Sequence, residues 1–203
     1  MITIGLTGVI GSGKSTASRL LKKRGLDVID MDALAKQSLG QKETQDEIRA
    51  TFGEEYVVDG RVDVVKIREI AFRQGSELRK LEGIVHPRVR RVVEKKVKAL
   101  EKRGARAVVF DHPLLFETGF DKKVDKVVVV TADAKTIHKR LKKRGMEADD
   151  IDRRLSFQIP LGQKAAKADH VINNKGSEEM LEREVDLLLE KLNTWEEERN
   201  APY

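Results

Sequence analysis

Residues 8–16 read GVIGSGKST and follow the apolar, β-branched run ITIGLT at 2–7. Gly8, Gly13, Lys14 and Ser15 satisfy G-x-x-x-x-G-K-[ST], and Gly11, Ser12 and Thr16 complete the loop. In this pattern the glycine-rich backbone curls so that successive N–H groups point inward at phosphate oxygens. A helix opening at Lys14 adds its positive N-terminal end. Lys14 then bridges the β and γ phosphates of a nucleoside triphosphate, and Ser15 supplies a hydroxyl to Mg²⁺. The plainer alternative is a glycine-rich turn between a strand and a helix. A strand before the loop and a helix after it are the context the phosphate reading demands. The loop by itself selects neither the base of the nucleotide nor the acceptor.

Other residue types fall where such chemistry needs them. Asp111 ends the run AVVF, and a carboxylate at the carboxyl end of a neighbouring parallel strand can hold Mg²⁺ directly or through water. Its alternative is a loop-capping aspartate. Asp30 and Asp32 follow the second apolar run, where a carboxylate can take a proton from an incoming hydroxyl. Residue type does not choose between them, and Asp32 also reads as an N-cap for a helix from Ala33. Arg140 and Arg144 are four apart on one helix face, and Arg153 and Arg154 follow on the next helix. A mobile arginine-bearing lid would bring positive charge to a triphosphate and exclude water. The alternative is a solvated basic surface, which is the reading for Lys139, Lys142 and Lys143, and for Arg90, Arg91, Lys95, Lys96 and Lys98. From residue type alone, His86 reads as structural, near a helix N-terminus.

The elements that must hold these groups follow from periodicity. Residues 2–7 form a buried strand and 14–24 a helix with Ala17, Leu20 and Leu21 on one face, stopped by Gly25. Leu26–Ile29 is a second strand. Residues 32–82 are helical and polar, interrupted by GEEYVVDGRVD with a turn at Asp59-Gly60. His86-Pro87 opens a long helix with the stripe Val89, Val92, Val93, Val97 and Leu100. ARAVVFD and VDKVVVVT carry continuous valine runs, which mark parallel strands covered on both faces. Helices at 134–144 and 148–158, a short strand HVIN, and a helix at 177–192 through Leu181, Val185, Leu188 and Leu192 complete the pattern. Residues 196–203 read as a frayed polar tail. Strands alternating with helices give an α/β fold, a doubly wound parallel sheet with a helical lobe inserted between the second and third strands.

Composition is consistent with this. The chain has 203 residues, 39% hydrophobic and 36% charged, with net charge +6. That favours anionic partners. With no cysteine, disulfides and thiolate metal sites are excluded. No signal-peptide layout and no membrane-length apolar run appear, so the expectation is a soluble, cytoplasmic protein without a membrane partner.

The stretches IGLTGVIGSGKST, VIDMDALAK, LEGIVHPRV, VVFDHPLLFETG, RRLSFQ and ADHVINNKG occur in that order and closely resemble the dephospho-CoA kinase family. The resemblance runs from residue 2 to about 192. It implies a P-loop kinase-like core, a helical coenzyme-binding lobe and a lid, with ATP and Mg²⁺ as co-substrate and metal. The implied reaction phosphorylates the ribose 3′-hydroxyl of dephospho-CoA. By position it implies Asp32 as general base, which separates it from Asp30. It implies Arg140 as the lid arginine, Asn174 and Gly176 near the adenine, and His86, Leu115 and Glu117 on the acceptor side. Asp111, Pro113, Leu114, Leu115 and Glu117 fall in the acceptor- and metal-facing stretch. The implied division is a nucleotide core at 1–31, 104–133 and 168–195, an acceptor lobe at 32–103, a lid at 134–167, and a tail at 196–203. The chain has Val9, Met31, Lys36, Val64 and Ile137 where the family usually or often has Gly, Ala, Arg, Arg and Gln.

Three rivals are weighed against this. Another small-molecule kinase would share the P-loop and lid without needing DHPLLFE. A GTP-dependent switch would want D-x-x-G and N-K-x-D where this chain has DHPL and NNKG. A nucleic-acid binder would want stacking platforms, but aromatics are only 4%, so nucleic acid is not an expected partner.

Overall fold

The computed structural model describes residues 1–73 and 75–201. The chain divides into two compact units, Met1–Ile29 with the chain from Arg103 onward, and Asp30–Lys102.

The first unit is built on a sheet of strand order β2-β5-β1-β6-β7. Its strands are β1 (Ile2–Thr7), β2 (Asp27–Asp30), β5 (Ala107–Asp111), β6 (Lys126–Thr131) and β7 (His170–Asn173). The β1/β5, β1/β6 and β6/β7 pairings are parallel. The valine runs behave as covered parallel strands should: every residue of β5 is buried, and so are Val127, Val128, Val129 and Val130. Alternation then sends neighbours to opposite faces. Val128 and Val130 join Ile2, Ile4 and Leu6 against Leu20 and Leu21 of α1 (Lys14–Lys23) and Leu181, Leu188 and Leu192 of α9 (Glu178–Asn200). Val127 and Val129 face Leu115 and its neighbours on the other side. α6 (Ala134–Lys143), α7 (Ala148–Ser156) and the short α8 (Leu161–Ala165) lie between β6 and β7 in the chain.

The C-terminal expectation is corrected. α9 runs to Asn200, so 196–200 are helical; residues 202 and 203 of the expected tail lie outside the described residues. The apolar stripe extends one step further than expected, to Trp195, which is buried under the Lys126 ammonium. The polar residues that read as a tail occupy the other face of the helix. Glu196 receives a two-pronged ion pair from Arg106 (2.8 and 3.1 Å), and Arg199 donates to the Met1 carbonyl.

The second unit contains α2 (Met31–Leu39), α3 (Lys42–Phe52), a hairpin of β3 (Val57–Val58) and β4 (Arg61–Val62), α4 (Val64–Arg73) and α5 (Gly75–Lys102). Ile48, Val57, Ile67 and Ile84 form its core. The expected turn at Asp59-Gly60 closes the hairpin, with φ of 49° and 68° at its two central residues. Such a two-residue turn needs positive φ at both, which Gly accepts freely and Asp tolerates. A second correction falls on Pro87, which lies well inside α5 instead of opening a helix. Proline removes one backbone donor and disturbs the preceding turn. Here Arg88 Nη1 donates to the Ile84 carbonyl at 2.7 Å, while the guanidinium pairs with Glu47 of α3 (2.7 and 3.1 Å). The helix runs through the proline, and Arg88 ties the next turn to α3.

Candidate active site

β1 ends at Thr7, the loop occupies residues 8–13, and α1 begins at Lys14. Strand, glycine-rich loop and helix therefore stand in the order the phosphate reading requires. Gly13 caps α1 with φ of 95°. A Cβ at that position would be strained and would run into Asn174 Nδ2, so the position takes glycine for conformation and for space. Thr16 N and Ala17 N donate to the Gly13 carbonyl (3.0 and 3.1 Å), and the opening of α1 forms the positive end of the helix.

The loop's carbonyls are held from behind. Asn174 is buried, and its Nδ2 donates to the Ser12 carbonyl at 2.8 Å. Arg140 on α6 donates Nη1 to the Gly11 and Ser12 carbonyls (3.5 and 3.3 Å) and Nη2 to the Asn174 carbonyl and Oδ1 (3.2 and 3.1 Å). Arg140, Asn174, Gly176, Gly13 and Thr16 line a cleft of 440 Å³ that Arg144 also borders. In this structure the Arg140 fork is spent on main-chain oxygens of two loops and on the Asn174 side chain.

On the sheet side, Asp111 ends β5 beside Leu6 of β1 and is buried. Its Oδ1 accepts from the Lys14 ammonium. The Lys14 and Asp111 side chains, 97 residues apart, thus meet directly. Ser15 stands exposed in the first turn of α1.

Two other arginines weighed from sequence, Arg153 and Arg154, are engaged elsewhere. Arg153 and Arg154 both pair with Asp150 on their own helix, at 2.6 and 2.9 Å. Arg153, with Arg154 behind it, holds the Asp150 carboxyl below its usual range. α6 and α7 are joined through His138, whose Nδ1 donates to the Ala134 carbonyl (2.9 Å) and whose Nε2 meets Asp152 (3.1 Å). These two acceptors hold its imidazole above the usual range. Val9 and Ile137, two departures from the family pattern, fall in one buried cluster with Ala132, Leu141 and Ile151. Val9 therefore turns its side chain into protein at the base of α6.

In the second unit, Asp30 is the N-cap of α2: its Oδ1 accepts from Ala33 N at 2.9 Å. Sequence reading offered that cap to Asp32. Because the helix opens at Met31, Asp32 falls in its first turn with an exposed side chain. His86 is exposed on α5, next to Pro87.

Two residues that the resemblance assigns to the acceptor side are held by the protein itself. Leu115 is completely buried against the sheet, and the exposed leucine of that loop is its neighbour Leu114. Glu117 faces inward: Oε1 accepts from Ile159 N and pairs with Lys164 Nζ, each at 2.8 Å. Sequence reading missed Lys164, because lysine is almost never fully buried and nothing in GQKAAKAD marks it. It also missed Gln158, whose Oε1 accepts from Ile10 N in the phosphate loop at 2.9 Å. The signal for Gln158 was its place at the end of RRLSFQ.

Comparison with known proteins places relatives beside this chain. A family model described as dephospho-CoA kinase matches residues 2–179. A Geobacillus kaustophilus dephospho-CoA kinase is 40% identical over 193 residues, covering 94% of this chain and 96% of the relative. A crystal structure of a Thermus thermophilus protein superposes with a TM-score of 0.85 at 35% identity, covering 94% of this chain and 97% of the other. A shikimate kinase from Bacteroides thetaiotaomicron shares the fold at a TM-score of 0.54 and 17% identity, covering 95% and 98%.

Proposed function

The chain belongs to the dephospho-CoA kinase family, and from that premise we infer which of its residues carry the transfer of a phosphoryl group from ATP to dephospho-CoA. The observation that supports the assignment most directly is the meeting of Lys14 and Asp111 at the end of a strand–loop–helix phosphate site. The acceptor atom is the ribose 3′-hydroxyl, and the products are coenzyme A and ADP.

Donor binding falls to the first unit. N–H groups at the loop's junction with α1, from Gly13 to Ser15, take the β-phosphate, and Lys14 leaves Asp111 to lie along the β and γ oxygens. Asn174 and Gly176 border the cleft that takes the adenine. Ser15 and Asp111 are hard oxygen donors and fit Mg²⁺, which prefers one or two protein oxygens together with substrate phosphates. Bound there, the ion would supply charge neutralisation across the phosphates.

Acceptor chemistry falls to the second unit, which serves as the coenzyme lobe. Asp32 takes the proton of the attacking hydroxyl, and His86 contacts the coenzyme. Helices α6 and α7 act as the lid that excludes water. Leu114 and the loop held by Glu117 also serve the acceptor. The enzyme works in the cytoplasm on these small molecules, without nucleic acid as a partner. Among the described residues no helix is long and apolar enough to cross a membrane.

The deciding experiment incubates purified protein with Mg-ATP and dephospho-CoA, reading product by mass and by the position of the new phosphate. Coenzyme A bearing a 3′-phosphate is expected. No such product, alongside good turnover of a nucleoside monophosphate, would reassign the chain to another small-molecule kinase activity.

The geometry of Arg140 makes a further expectation. One nitrogen serves Gly11 and Ser12 and the other serves Asn174, a span that needs a planar fork. Arg140→Lys and Arg140→Ala should therefore both slow transfer, the lysine variant by about tenfold or more despite its charge. Full activity of Arg140→Lys in steady-state assays would reduce the residue to a diffuse charge.

A further inference from the structure

Lys164 has no side-chain exposure, and its only charge partner among the described residues is Glu117. Taking two charges out of water is costly, and an apolar pair of the same volume usually stabilises a fold as well or better. The pair therefore calls for a role in placing other groups, and its connections supply one. Lys164 Nζ also donates to the Pro113 carbonyl at 3.0 Å, and the same carbonyl accepts from Thr7 Oγ1 at 3.1 Å. Thr7 is buried at the end of β1, where the phosphate loop begins. On the other side, Glu117 Oε1 accepts from Ile159 N, and the adjacent Gln158 accepts from Ile10 N in the middle of the phosphate loop. The circuit thus leaves the loop at Thr7, passes through Pro113, Lys164, Glu117 and the 158–159 segment, and returns to the loop at Ile10.

We propose that the buried Lys164–Glu117 pair, acting through Gln158, is a positioning device that holds the phosphate loop in register with the Pro113–Glu117 loop and the segment leaving α7. Neither charge touches a reacting atom. The pair fixes Ile159, Ile159 fixes its neighbour Gln158, and Gln158 takes up the Ile10 N–H and so sets the path of the loop. A displacement of the loop by a fraction of an ångström misaims all of its phosphate-binding N–H groups together. Glu117 accordingly serves the acceptor through the loop it holds.

A double-mutant cycle in the coenzyme A-forming assay tests this. Lys164→Met and Gln158→Ala should each lower kcat/KM for ATP by about tenfold or more, the scale expected for misplaced substrate. The KM for dephospho-CoA should stay near the wild-type value in Gln158→Ala and rise in Lys164→Met, which also releases the Pro113–Glu117 loop. Because both act through one circuit, the double variant should be little worse than the poorer single variant. Additive losses would overturn the proposal. A second variant, Lys164→Met/Glu117→Leu, removes both buried charges and should recover the thermal melting that Lys164→Met loses. Its kcat/KM for ATP, and its ADP affinity by calorimetry, should remain low. Recovery of both along with the melting temperature would show a merely structural pair and overturn the proposal. Wild-type turnover in the same assay separates failure of the circuit from failure of the reaction assignment on which it rests.

Discussion

Replacing Lys14 with alanine is expected to lower kcat by about a hundredfold or more, equivalent to ~2.7 kcal/mol of lost transition-state stabilisation. The ammonium is the main-loop charge placed to follow the β and γ phosphates as negative charge redistributes during transfer. Sequence alone predicts that melting would scarcely change, since the residue would face only ligand. The ion pair with buried Asp111 alters that expectation. Without Lys14 the carboxylate keeps its burial and loses its cation, a deficit of about 1–3 kcal/mol for an unsatisfied buried group. Lys14→Ala should therefore melt several degrees lower. The double variant Lys14→Ala/Asp111→Asn should recover melting while staying inactive. Steady-state rates beside thermal melts separate the two effects. A near-wild-type rate for Lys14→Ala would refute the phosphate role.

The second large effect is expected from Asp32→Asn. The substitution preserves shape and removes the capacity to take the hydroxyl proton. ATP and dephospho-CoA binding, measured by calorimetry, should survive while kcat falls by roughly a hundredfold or more, the scale of general-base loss. The neighbouring carboxylate is the control, and the fold defines what it should do. Asp30 caps α2 through Ala33 N. Asp30→Asn should be nearly silent, because asparagine caps as well as aspartate, and Asp30→Ala should cost about 1 kcal/mol of stability with turnover retained. An inactive Asp30→Asn beside an active Asp32→Asn would reverse the assignment. If Asp32→Asn binds more weakly but turns over normally at saturation, Asp32 positions the acceptor and no base operates, as a loose phosphoryl-transfer transition state permits.

Much of this protein was legible because it is encoded locally. The phosphate loop depends on residue identity at a fixed spacing, and backbone curvature at Gly13 follows from the residue itself. The covered parallel sheet shows in unbroken valine runs, since strands packed on both faces have no polar alternation to display. The Asp59-Gly60 hairpin announces itself through two residues that accept positive φ. Each of these features is decided within about ten residues of chain, which is the reach of backbone sterics and side-chain periodicity.

The features that needed the tertiary structure all depend on partners far along the chain. Pro87 sits inside a helix whose next residue, Arg88, is anchored to Glu47, 41 residues away. The polar C-terminal stretch is helical through residue 200 because Trp195 continues the buried stripe and Arg106 takes up Glu196. Leu114 and Leu115 are identical in type, and only packing under the sheet decides that Leu115 is core and Leu114 exposed. The Asp30 cap turned on a helix opening two residues earlier than its sequence suggested. Lys164 is the clearest case. A lysine in a polar stretch reads as solvated, and burial of its charge becomes tolerable only when Glu117 and the Pro113 carbonyl, 47 and 51 residues away, arrive to meet its ammonium. Sequence by itself determined the phosphate chemistry and the class of fold, because these rest on local conformation and periodicity. Only the tertiary structure decided which charges are internal, because the cost of desolvating a charge is set by what the rest of the chain places around it.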